Sequence, residues 1–240
     1  RKECYIREFS IEHFHDSKVF ETLIPKICKI FREENEELTG FENEEILAEY
    51  QIYKTPGYVY MKGNVQIYSA GKQAADISAF PEGIAVAVGS EEDVPDICPD
   101  QTIDKVFTIE NLTSFYRFKQ EHSLVIYLGG YHNRSRRNLL MQIYQKLPDA
   151  QYYHFGDLDA GGFYILEHLK RKTGIPFQMF QMDIETLKKY EDYAKPLTEN
   201  DKKRLMQLEK MELPDEERKL ITYMLQKGIK LEQECISESR

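Results

Sequence analysis

Apolar positions follow a helical spacing at the start of the chain. Between residues 16 and 39 they recur at Val19, Phe20, Leu23, Ile27, Ile30 and Phe31, with Asp16 and Ser17 placed to cap. Pro25 lies inside this run and is expected to kink or divide the helix. A second, shorter helix is predicted over 43–50. The period then falls to two. Tyr58–Met61 and Val65–Tyr68 flank Lys62-Gly63-Asn64, which predicts a hairpin, and residues 84–88 predict another strand. From residue 101 strands and helices alternate. Strands are predicted at 106–109, 124–128, 151–155 and 177–182, with helices at 112–121, 134–147 and 162–173 between them. Leu124–Leu128 is continuously apolar, as in a strand buried on both faces of a parallel sheet. The helix over 162–173 carries Lys170, Arg171 and Lys172 in its last turn, before Gly174. Beyond it, Asp183 caps a turn-rich segment. Thr198 and Asp201 form a capping box for a helix over 199–212, and Pro214-Asp215 opens a helix that Gly228 ends.

This alternation predicts an α/β protein built on a parallel sheet of about four strands. That sheet is placed at 101–195, with an N-terminal α+β segment over 1–100 and a C-terminal helical extension over 196–240. Composition supports a globular chain of 240 residues, 41% hydrophobic and without tryptophan. No apolar run approaches the ~20 residues that span a membrane. Cys4, Cys28, Cys98 and Cys235 are far apart and form no CxxC pair, which reads as reduced thiols in a cytoplasmic protein.

Charge changes the picture by its distribution. The net charge of −9 argues at first against nucleic acid. Residues 1–100, however, hold 10 Lys and Arg against 20 Asp and Glu, whereas residues 101–195 hold 13 against 11. The acidity belongs to the first segment, and local field governs how a phosphate approaches.

The candidate chemistry begins at Tyr152-Tyr153-His154-Phe155-Gly156-Asp157-Leu158-Asp159-Ala160-Gly161-Gly162, where a strand pattern ends in two carboxylates one residue apart. An isolated DxD triplet is usually a turn or a helix cap. Here Glu110 ends the first strand of the alternating region, Gly129-Gly130 ends the second, and Asp157 and Asp159 end the third. In a parallel α/β sheet those ends share one edge, where ligands bind. Carboxylates gathered there repel one another unless a cation joins them, and a hard divalent ion such as Mg²⁺ suits oxygen donors. The loop Gly129-Gly130-Tyr131-His132-Asn133-Arg134-Ser135-Arg136-Arg137 adds paired glycines, a helix start and arginines, all suited to phosphate. The GxxxxGK[ST] pattern of Walker ATPases is missing.

Strand–Glu110, strand–Gly129-Gly130 and strand–Asp157-x-Asp159, in that order, resemble the Toprim domain of topoisomerases, primases and related nucleases. Asp157-Leu158-Asp159-Ala160-Gly161-Gly162-x-x-Ile165, with Gly-Gly-Tyr and arginines before it, is similar to the A subunit of type IIB topoisomerase. Glu8–Lys18, Ile109–Phe115, Tyr153–Gly162 and Leu231-Glu232-Gln233-Glu234 resemble the JetD family of nuclease subunits from the Wadjet plasmid-defence system. The resemblance implies a Toprim-type sheet and cleavage of double-stranded DNA. Mg²⁺, replaceable by Mn²⁺, would be held by Glu110, Asp157 and Asp159, with Glu110 also a general acid or base. It further implies DNA contacts from Gly129, Gly130, His132, Arg134, Arg136 and Arg137, an SMC-like motor partner and a homodimer. Glu232 and Glu234 read as outer ligands or, more simply, as a charged surface helix.

Three other readings stand beside this one. A topoisomerase-like transesterase would cut through a tyrosyl–DNA link, and the chain has 16 tyrosines. A haloacid-dehalogenase-type phosphatase also uses DxD after a strand, though there the motif commonly sits in the first strand and continues with Thr or Val. A non-catalytic DNA-docking subunit would leave the cutting to a partner.

Overall fold

A computed structural model describes residues 3–35, 38, 41–54, 57–88, 95–129 and 134–236, with Arg134 described by its backbone alone. The chain opens with β1 (Cys4–Tyr5), α1 (Ile6–Phe14), α2 (Val19–Glu34), α3 (Asn43–Glu49) and β2 (Ile52–Tyr53). Five strands follow: β3 (Tyr58–Lys62), β4 (Val65–Ser69), β5 (Lys72–Asp76), β6 (Ile84–Ala87) and β7 (Asp96–Pro99). The alternating region comprises β8 (Lys105–Ile109), α4 (Leu112–Arg117), β9 (Ser123–Tyr127), α5 (Arg134–Lys146), β10 (Gln151–Phe155), α6 (Ala160–Thr173) and β11 (Gln178–Met179). The last part holds α7 (Ile184–Lys189), β12 (Lys195–Pro196), α8 (Glu199–Leu208), α9 (Asp215–Lys227) and β13 (Ile229–Lys230). No described helix is long and apolar enough to cross a membrane.

The fold is α/β. Its main sheet has six strands in the order β11-β10-β8-β9-β3-β6. The first four run parallel, with Phe155 beside Ile109 and Ile109 beside Tyr127, so their carboxyl ends share one edge. β3 adds antiparallel to β9, and β6 adds antiparallel to β3. The sheet thus continues across residue 100, where the charge balance changes. Both faces are covered. Val106, Leu124, Ile126 and Tyr152 pack into one apolar cluster, while Phe107, Ile109, Val125 and Phe155 pack into the other. This alternation explains why Leu124–Leu128 reads as an unbroken apolar run.

The hairpin expected at Lys62-Gly63-Asn64 does not form. β4 leaves the main sheet and pairs with β5 and β7 in a second, three-stranded sheet. Lys62 ends β3 opposite Val125, and its buried ammonium donates to the carbonyl of Phe115 at 2.6 Å. At Gly63, where φ is +137°, a Cβ would fall 2.5 Å from the Ser123 carbonyl oxygen. The glycine therefore serves a close pass beside β9 and not a return turn. The hairpin lies one strand later. Ala70 and Gly71 both take left-handed angles between β4 and β5, as a two-residue loop requires.

Other boundaries shift for local reasons. α2 continues through Pro25, whose missing N–H removes one helical bond, the one to the carbonyl of exposed Glu21. α4 stops at Arg117, short of 121. α6 starts at Ala160, earlier than its apolar period suggests, because Asp159 caps it. β11 is shorter than 177–182, and Met182 turns under the sheet edge, where its sulfur accepts from the Gly156 N–H at 3.3 Å.

Candidate active site

The parallel edge gathers the three carboxylates. Glu110 follows β8 directly, and its N–H donates to the Phe155 carbonyl at 3.0 Å, which prolongs the β8–β10 ladder by one rung. Its Oε2 accepts from the Asp157 N–H at 3.4 Å. Asp157 ends the turn after β10, and its Oδ1 accepts from the Gln233 N–H at 2.7 Å. Asp159 caps α6 through Oδ1, which accepts from the Gly162 N–H at 2.9 Å. Each aspartate thus has one oxygen held by a backbone N–H, leaving the other for a ligand.

Two glycines make the turn possible. A Cβ on Gly156 would fall 2.7 Å from Glu110 Oε2 and 2.9 Å from His154 Nε2. A Cβ on Gly162 would fall 2.2 Å from the Asp157 carbonyl oxygen. His154 forms the floor. Its Nδ1 lies 3.0 Å from Thr108 Oγ1, and its Nε2 is buried without a partner. Burial, with the Lys170 charge, pushes this imidazole down to about 3, so it is neutral.

The carboxyls move the other way. Burial, then the charges of Asp157 and Asp159, push Glu110 up to about 8. Burial also pushes Asp157 up to about 6, against the Gln233 N–H and with the charges of Asp159, Glu234 and Glu232. Among the described residues none of the three is ion-paired. A group that burial and like charges keep protonated is one a cation would ionise. Among the described residues no three His, Cys, Asp or Glu side chains converge closely enough to hold a metal by themselves. Mg²⁺ keeps several waters and takes one or two carboxylates, so it does not require three to converge. The donor set fits such an ion.

These shifts carry a stability signature. Between about pH 7 and 8, native Glu110 keeps a proton that the unfolded chain has released. Stability without divalent cations should therefore fall as pH rises, with a slope approaching ~1.4 kcal/mol per pH unit. Below that window other groups mask the trend. His154 and His168, both pushed to about 3, add stability as pH rises to about 6.5, and Glu217, raised to about 7, opposes them. Urea unfolding at pH 7 and 8 should show the slope in wild type and lose most of it in Glu110→Gln, the remainder coming from Glu217. An equal slope in both would assign it elsewhere.

The basic loop is only partly described. Gly130 and His132 lie outside the described residues, as does the side chain of Arg134. Gly129 leaves β9 with φ +68°. Arg136 is largely buried and donates to the Leu128 carbonyl at 2.7 Å. Arg137 is buried and forms a two-pronged pair with Glu49, at 2.6 and 3.3 Å. These two arginines have internal partners that tie the start of α5 to β9 and α3.

A segment from the far end of the chain completes the site. Leu231 bridges Leu158 in antiparallel fashion, with N–H···O distances of 2.9 and 3.1 Å. Residues 233–235 form a single 3₁₀ turn, not a charged surface helix. Gln233 is fully buried, and its amide reaches both neighbouring strand ends. Nε2 donates to the Phe155 carbonyl at 2.9 Å, and Oε1 accepts from the Asn111 N–H at 2.8 Å. Glu234 accepts from Asn111 Nδ2, and Glu232 pairs with Lys195. Gln233 and His154 are the site residues that motif reasoning passed over. The only sequence signal for Gln233 was its place in the Leu231–Glu234 stretch.

Residues 92–239 match the family described as Wadjet protein JetD, C-terminal. Wadjet protein JetD of Bacillus cereus (strain Q1) is 30% identical over 235 residues. The alignment covers 96% of this chain and 56% of that relative, so the chain spans a little over half of the relative's length.

Proposed function

The chain belongs to the Wadjet JetD family, and from that premise we propose that it is the metal-dependent nuclease part of a Wadjet defence subunit, cutting double-stranded DNA. The observation that carries this reading is the gathering of Glu110, Asp157 and Asp159 at the carboxyl edge of a parallel sheet. The order of strand–Glu, strand–Gly-Gly and strand–DxD supports a Toprim-type assignment. Mg²⁺ or Mn²⁺ would be held by these carboxylates. When bound, it would supply Lewis-acid stabilisation of charge on the scissile phosphate and the leaving 3′ oxygen.

Glu110 is the residue best placed to move a proton. Its carboxyl lies near 8, close enough to neutral pH to give or take one. Water is the preferred nucleophile. Tyr127, the tyrosine whose hydroxyl feels the Glu110 charge, is pushed up by burial, which opposes its activation. Gly129, Gly130, His132 and Arg134 are the proposed phosphate contacts. Arg136 and Arg137 act behind them, holding the start of α5. The SMC-like motor, plasmid DNA as substrate and a homodimer belong to the same reading.

A thermal melt tests the metal part directly. Millimolar Mn²⁺ should raise the midpoint of wild type by several degrees, because an ion that binds only the native state stabilises it. A double variant, Asp157→Asn with Asp159→Asn, should gain little. Equal shifts in both proteins would remove the metal site from this edge.

A further inference from the structure

Resting on that metal-site reading, we propose that Gln233 is a positioning residue of the site, setting Asp157 and the ends of β8 and β10 through its backbone N–H and its side-chain amide. Gln233 Oε1 takes the N–H of Asn111, the residue after Glu110, and its Nε2 gives to the carbonyl of Phe155, two residues before Asp157. The amide's orientation is forced, since a backbone N–H requires an acceptor and a carbonyl requires a donor. One fully buried side chain therefore adds a second link between the ends of β8 and β10, beside the Glu110–Phe155 bond, where the carboxylates leave the sheet.

The backbone does a second job. The Gln233 N–H holds Asp157 Oδ1 at 2.7 Å, which fixes the plane of that carboxyl and leaves Oδ2 without a partner in the same bond. Asp159 is restricted in the same way by Gly162. Both carboxyl groups are therefore held in set orientations at the edge where they would hold a cation. Fixed outer hydrogen bonds of this kind commonly change metal affinity by ~10–100-fold when removed. The Leu158–Leu231 bridge anchors the segment, so Gln233 reaches the site as the second residue beyond that bridge.

The two jobs separate by substitution. Gln233→Ala removes the amide and keeps the N–H. Gln233→Pro removes both, and proline suits the first position of the 3₁₀ turn behind Glu232, whose φ of −78° and ψ of 141° are those favoured before proline. Mn²⁺ affinity would be measured on the whole chain by the electron paramagnetic resonance of free Mn²⁺, at a temperature well below each variant's midpoint in EDTA. Gln233→Ala is expected to bind about ten-fold more weakly than wild type, and Gln233→Pro more weakly still. A purely structural role would lower the midpoint in EDTA but leave the affinity of the folded protein unchanged. That result in Gln233→Ala overturns the proposal even if Gln233→Pro fails to fold. Wild type that binds no Mn²⁺ would overturn the metal reading itself. Wild type that binds, with variants that bind equally, overturns only the role of Gln233. Hydrogen exchange of the Asn111 amide adds a readout without metal. It should speed up in Gln233→Ala, and an unchanged rate would count against the bridge.

Discussion

DNA cleavage is expected to fall about a thousand-fold or more in Asp157→Asn and in Asp159→Asn, with the fold retained. Lewis-acid stabilisation is worth several kcal/mol, and each 1.36 kcal/mol is a factor of ten in rate. Losing about 4 kcal/mol therefore costs about three orders of magnitude. Asparagine is the sharper replacement because both aspartates also serve the fold. Asp159 caps α6, and alanine there would cost ~1 kcal/mol for the lost cap. Asparagine keeps an oxygen for the Gly162 and Gln233 N–H groups and removes only the charge. Without divalent cations these variants should be as stable as wild type or more so, since one like charge near Glu110 has gone. Linear and circular duplex DNA would be the substrates, with the partner subunits of the system present. A double variant that cuts at the wild-type rate would end the metal-nuclease reading.

Gly162→Ala should destabilise the protein by about 3 kcal/mol or more, at the upper end of overpacking costs. Helix propensity alone argues for a gain of up to ~1 kcal/mol, because the site is helical. The contact decides otherwise. The new Cβ would lie 2.2 Å from the Asp157 carbonyl oxygen and 3.2 Å from its nitrogen, and both are backbone atoms in a turn braced by Leu231 and Gln233. Either α6 or the DxD turn must move. Gly161→Ala is the matched control. Its Cβ meets only the Asp159 carboxylate, 3.1 Å away, a side chain able to yield. Urea unfolding should show Gly161→Ala within ~1 kcal/mol of wild type and Gly162→Ala far below it. Equal midpoints would mean that the turn relaxes freely.

The parallel core was legible because its signal is local. β9 is a continuous apolar run, β8 and β10 mix apolar with polar residues, and each is followed by a helix; a chain that alternates so leaves few topologies. The carboxylates followed, since Glu110 and Asp157 come directly after strands whose direction the alternation settles. Pairing partners were less legible. Lys62-Gly63-Asn64 has hairpin composition, but composition does not say whether a glycine turns the chain back or slips it past Ser123. The real loop hid behind Ala70, a residue that rarely takes a left-handed angle. Long-range polar partners were the least visible. Arg137 and Glu49 lie 88 residues apart, and no periodicity links them. The same holds for Gln233, whose role depends on a bridge between Leu158 and Leu231.

That bridge also sets an order in time during synthesis. Gln233 follows Asp157 by 76 residues, so at roughly 5–20 residues per second the ribosome adds it about 4–15 s later. Through that interval the nascent chain can pair β8, β9 and β10, whose residues are already made. The Asn111 N–H and Asp157 Oδ1 still await their partner. The carboxylate edge therefore takes its final form only after the helices behind the sheet have been translated, and a growing chain carries the ligands before it carries the part that aims them.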